Sequence, residues 1–283
     1  MHLRGLALGW ILLLGVWQAW GHGSLHEQIQ RLTQELEAHP DQRELLIERG
    51  MLYRVHELHP ESLADWEKAA RLDPKDATND FRLGIAALAL RQTNAAVERL
   101  ERFAAQVPGS IPGQLEAARA CRLASRHGDA VRYWTTAIRK AAEPRPEWFL
   151  DRARSAEKAG VPPPEILAGL DEGITRHGPI PPLQLKAVEI EVGRGAIDSA
   201  LHRLSESASR AERKERWLLR RAEVLAGAGR SDEARTEFLA ARAAIEQLPE
   251  RIRKGWAASE LTRKIDDGLA KLPPKQDPST PTP

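Results

Sequence analysis

A spacing of 34 residues recurs along this chain and constrains its fold more than any other feature. Pro40, Pro74 and Pro108 keep the step, as do Gly50 and Gly84, Leu63 and Val97, Ser62, Ala96 and Ala130, and the large residues Trp66, Leu100 and Trp134. The step slips by two residues across positions 142–146 (Ala-Glu-Pro-Arg-Pro). It then resumes with Leu170, Leu204 and Phe238, with Ala200 and Ala234 four residues ahead of the last two. Self-similarity at such a period marks stacked units, none of which buries its apolar face alone.

Each unit reads as two amphipathic helices. Residues 44–55 place Leu46, Gly50 and Tyr53 on one face at helical spacing. His59-Pro60 follows, with proline suited to a first helical turn. The second helix, 61–72, presents Leu63, Trp66, Ala69 and Ala70, and Asp73-Pro74 ends it because proline lacks a donor and disfavours helix in the residue before it. Two antiparallel helices must approach to about 8–10 Å. Small residues at Gly50, Gly84 and Ala118, and at Ala96, Ala130, Ala200 and Ala234, remove bulk where backbones cross, and the large residues fill the space between hairpins. Ala, Leu, Glu and Arg are abundant and only 5% of the chain is aromatic, a composition that favours helix.

The order Leu46, Gly50, Tyr53, Ser62, Trp66, Ala69, Pro74 resembles the tetratricopeptide repeat. The resemblance implies an all-α fold: a right-handed superhelix of about six helix–turn–helix repeats with a capping helix at each end. The units span 43–76, 77–110, 111–146, 147–180, 181–214 and 215–248. In the fourth, Arg154 falls at the small position and Pro162-Pro163-Pro164 forms the turn; in the fifth, Val188 is at the small position and Gly193-Arg194-Gly195 forms the turn. The N-terminal cap covers 22–42, with Leu25, Ile29, Leu32 and Leu36 on one face. The C-terminal cap, 249–272, is read as one helix from about residue 250 that offers Ile252, Trp256, Leu261, Ile265 and Leu269 to the last repeat. Residues 273–283 are a proline-rich tail with nothing to bury, expected to be disordered.

The first 21 residues read as a secretory signal peptide: Arg4, an apolar run from Gly5 to Trp17, then small residues before a cut after Gly21. The run is short of the roughly 20 apolar residues that span a membrane. The expectation is a periplasmic or extracellular protein with no stable membrane span after cleavage; the alternative is a signal retained as an anchor. A single cysteine, Cys121, cannot form an internal disulfide and is expected to be a small buried hydrophobe. The 42 basic and 40 acidic residues nearly balance, which gives no reason to expect a nucleic-acid partner.

Catalytic patterns are sparse, and the chain is read as a non-enzyme with no cofactor and no metal site. His56-Glu57-Leu58-His59 is one residue short of the zinc-protease spacing and has no third ligand. Asp266 and Asp267 are adjacent and point apart on a helix. The basic stretch 210–221 is interrupted by Glu212 and Glu215 and reads as a solvated face. A narrower alternative is a metal-binding component of an exported enzyme system: cleavage after Gly21 would leave His22 at the N-terminus, where its amine and imidazole chelate copper, with His26 one turn away.

The resemblance implies that the first helices line a concave groove that binds protein segments. Ile47, Met51 and Arg54, then Phe81, Ile85 and Leu88, then Leu115, Arg119 and Arg122 would form an apolar strip edged by arginine, suited to apolar anchors and a carboxylate. The family's chaperone-binding subset uses Lys and Asn there, and these are missing. The other reading of Ile47, Phe81 and Ile85 is inter-helix packing. The functional expectation is an interaction scaffold for an unidentified protein partner.

Overall fold

The computed structural model describes residues 24–274, which form fifteen α-helices and, among the described residues, no strand. They fall into two compact units divided after Arg126. The segment read as a signal peptide, His22 and most of the proline-rich tail lie outside the described residues.

The first unit contains α1 (Leu25–Ala38), α2 (Arg43–Val55), α3 (His59–Leu72), α4 (Thr78–Ala89), α5 (Thr93–Gln106) and α6 (Ile111–Leu123), each packed on the next. Ser24 opens α1 with a reciprocal cap: its hydroxyl accepts from the Glu27 backbone N–H, and the Glu27 carboxylate accepts from the Ser24 N–H. Leu32 and Leu36 of α1 are buried, while Leu25 is exposed.

Close helix approach explains why glycine and a bulky residue recur together. A β-carbon on Gly50 would lie 2.5 Å from the Trp66 indole nitrogen, and one on Gly84 would lie 2.5 Å from Leu100 Cγ. Ser62 sits at the neighbouring crossing point and donates its hydroxyl to the Gly50 carbonyl at 2.7 Å, while Trp66 Nε1 donates to the Ile47 carbonyl at 3.2 Å. The small position is thus defined by the aromatic or aliphatic side chain laid across it. Cys121 is fully buried, as its sequence context implies.

The second unit contains α7 (His127–Lys140), α8 (Pro146–Lys158), α9 (Pro163–His177), α10 (Pro181–Gly193), α11 (Ile197–Arg210), α12 (Glu215–Gly227), α13 (Ser231–Glu246), α14 (Glu250–Arg253) and α15 (Trp256–Lys271). Its core includes Leu204, Phe238, Leu261 and Ile265.

One turn geometry recurs after α2, α4, α6, α8, α10 and α12. The residue just past each C-cap is left-handed: Glu57, Arg91 and Ser125, then Gly160, Gly195 and Gly229. The next N–H reaches back to a carbonyl five residues earlier, as in Leu58 to Tyr53 (2.9 Å), Gln92 to Ala87 (2.8 Å) and Arg230 to Leu225 (2.9 Å). This closes off helix-end carbonyls that would otherwise lack donors.

The left-handed series also relocates the slip in the repeat. Its steps are 34, 34, 35, 35 and 34 residues. One extra residue lies before Gly160, in the α7–α8 stretch; the other lies between Gly160 and Leu170, where Val161-Pro162-Pro163-Pro164 makes the turn. Both do not fall within 142–146, because the spacing of large residues sums the two insertions and cannot separate them. The small residue of α8 is accordingly Ala153, which is buried, and not Arg154, which is exposed and pairs with Asp151.

The C-terminal cap also differs from expectation. It is two helices broken at Lys254-Gly255, and burial goes to Ala258, Leu261 and Ile265. Gly268 lies against the Phe238 ring. Because α15 restarts at Trp256, Ile252 and Trp256 do not share its apolar face, and both are exposed.

Candidate functional site

The candidate surface is the side of α2, α4 and α6 left over after packing within the first unit. On α2, Leu46 and Gly50 are buried, whereas Ile47 is half-buried and Met51 and Arg54 are exposed. On α4, Leu83, Gly84, Ala86 and Ala87 are buried, and Phe81, Ile85 and Leu88 are half-buried. On α6, Gly113, Gln114, Ala117, Ala118 and Ala120 are buried; Leu115 is half-buried, and Arg119 and Arg122 are exposed. Each helix therefore has one face in the core and one only partly covered, as amphipathic packing requires.

These residues have different commitments. Ile47 and Ile85 pack against small clusters of buried residues, around Leu46 and around Trp66 and Leu83 respectively. The Phe81 ring packs against that of Phe103, tilted by 45° with centroids 5.0 Å apart, and Phe103 is buried. Arg119 is held by Glu116 at 2.5 Å. Arg54 approaches only the Met51 sulfur, at 3.7 Å, and neither Arg54 nor Arg122 has an ion-pair partner among the described residues. Many other arginines of this unit are engaged by carboxylates, including Arg49 with Asp65, Arg82 with Asp76, Arg99 and Arg102 with Asp80, and Arg126 with Glu101.

Two further residues belong to this surface on exposure: Val55 and Leu123, at the ends of α2 and α6, are 54% and 56% exposed. Together with Ala89 at the end of α4 they follow the 34-residue step, so the repeat itself carried the signal.

The other sequence candidates resolve into ordinary contacts. His26 meets the Gln30 side chain at 3.0 Å. In the basic stretch, Arg213 pairs with the buried Glu215, Arg220 with Glu223 and Arg221 with Glu237, while Trp217 and Leu219 are core. Asp266 engages Arg242 and Asp267 engages Arg263, on different sides. Among the described residues, no group of three or more His, Cys, Asp or Glu is placed to hold a metal, and no helix is long and apolar enough to cross a membrane.

In the second unit a cleft of about 320 Å³ lies beside the proline turn, lined by Val131, Ala153, Ala156, Ile166 and Gly169. Its cation, Arg152, is already engaged by the Gly169 carbonyl at 2.8 Å and by Glu172 at 2.9 Å.

No family model matches the chain, and no curated protein matches it. Solved structures do. A tetratricopeptide repeat protein from Parabacteroides merdae ATCC 43184 shares 13% identity, covers 86% of this chain and 92% of its own, and superposes with a TM-score of 0.52. MamA from residue 41 to its end, from Desulfovibrio magneticus RS-1, shares 14% identity over 54% of this chain and 85% of its own, with a TM-score of 0.50. At such identities the likeness is one of fold. The paired helices, the glycine-to-bulky crossings and these neighbours agree: the chain has the tetratricopeptide-repeat fold.

Proposed function

We propose that this protein is a non-enzymatic interaction scaffold, exported from the cytoplasm, that binds a segment of a protein partner along α2, α4 and α6. The observation that carries the reading is the partly covered apolar strip beside two guanidiniums, Arg54 and Arg122, that no carboxylate of the described chain neutralises. An arginine without a carboxylate is ready to take one from a ligand, and its planar donors favour bidentate capture. Half-buried Ile85, Leu88 and Leu115 supply shallow seats for apolar anchors, a mode in which alternate or helically spaced side chains are read. Export rests on the N-terminal sequence.

The test is recovery of the partner by crosslinking from native material. Met51→Glu with Arg122→Glu is the informative variant, because both residues are exposed and neither is committed to the core. Phe81 is less suitable, since its loss would also unseat Phe103. The expected result is partner recovery lowered at least about tenfold, the equivalent of roughly 1.4 kcal/mol, with the helical circular-dichroism signal retained. Unchanged recovery with intact helicity would remove this surface from the reading.

A further inference from the structure

The exposed corner between α14 and α15 has no role in the fold or in the proposed scaffold surface. Trp256 is 82% exposed and Ile252 is 39% exposed. A tryptophan left so far in water is unusual, because its ring is normally used to bury area or to sit where apolar and wet regions meet. Arg251, Arg253 and Lys254 stand in the same short stretch, against one acid, Glu250, which pairs with Lys254 at 2.6 Å. Arg253 donates to the backbone carbonyl of Glu246 at 2.9 Å, and neither Arg251 nor Arg253 has an ion-pair partner among the described residues, although Arg253 shares a cleft with Glu246 and Asp266.

We infer that this corner is a peripheral docking point for an anionic membrane surface. Tryptophan is favoured at the headgroup level, and lysine and arginine beside it gain from the negative surface potential. The corner projects two apolar side chains, and shallow insertion of one or two such groups is what an interfacial contact needs. A second copy of the chain fits less well: a two-fold contact through this corner would set Arg251 and Arg253 against the same cations. A protein interface core fits less well too, since a stable one buries about 800 Å² per partner and this corner offers one tryptophan and one isoleucine.

The experiment is sedimentation of the full chain with vesicles of phosphatidylcholine alone and of phosphatidylcholine mixed with phosphatidylglycerol. The N-terminal apolar run is common to every variant, so the comparison is between chains. Wild type should partition more strongly onto the phosphatidylglycerol vesicles. Arg251→Ala should weaken that partition about fivefold, as expected for one cation near such a surface. Trp256→Ala should weaken it at least as much, with unchanged helicity because the ring is exposed. The emission difference between wild type and Trp256→Phe should shift to the blue on adding the anionic vesicles, a readout specific to this one of eight tryptophans. Equal partition onto both vesicle types would overturn the inference. So would Trp256→Ala and Arg251→Ala chains that bind as wild type does; retention of an acidic protein by the same corner would then assign it to a protein partner.

Discussion

Glu57, Arg91 and Ser125 occupy backbone conformations that the second unit assigns to glycine. An L-residue in the left-handed region costs about 1–2 kcal/mol, partly offset because glycine loses more freedom on folding. Glu57→Gly should therefore stabilise the first unit by about 0.5 kcal/mol, and Gly195→Ala should destabilise the second by about 1 kcal/mol. Urea midpoints should move in opposite directions for the two variants. A lowered midpoint for Glu57→Gly would mean that its side chain supports the turn in a way the geometry does not show. Of Gly160, Gly195 and Gly229, Gly195 was read from the sequence, and as a turn residue only, while the turn at Gly160 was read from the prolines that follow it. The equivalence of Glu57, Arg91 and Ser125 to these glycines was not legible, because a shared backbone angle imposed by hydrogen bonds leaves no common side chain to read.

At the scale of elements, the α3–α4 junction is fastened by Asp76. Burial opposes its ionisation, but the hydroxyl and backbone N–H of Thr78, Arg43 and Arg82 all donate to its carboxylate. Together they hold it far below the ordinary aspartate value of 3.8. A carboxyl lowered in the folded state stabilises fully above its unfolded value, and that contribution is lost as pH falls through that value toward the folded one. The denaturation midpoint of the first unit should thus begin to drop below about pH 5 and go on dropping through and below about pH 3, and drop less in Asp76→Asn. Equal pH slopes for the two chains would show that the junction does not titrate with folding. The helices themselves were largely legible: α2 and α3 begin within two residues of their expected starts, because period and proline placement are local signals. The break at Gly255 was not, since a continuous apolar period through Trp256 suits one helix as well as two.

For the whole molecule, stacked units predict stability that varies along the chain. Trp66→Ala removes a side chain that is 1% exposed and should cost about 3–5 kcal/mol locally. Amide exchange should speed up in α2, α3 and α4, while α12, α13 and α15 keep their protection. Equal acceleration in both units would indicate a single cooperative block. By itself the sequence determined the repeat, its helix pairs and the match of small to large residues, since all of these are written within windows of about one unit. Tertiary structure alone decided where each extra residue is absorbed, which arginines remain without a carboxylate, and that Trp256 faces water. Those outcomes depend on how one helix is rotated against the next, and that rotation is set by contacts between residues far apart in the chain.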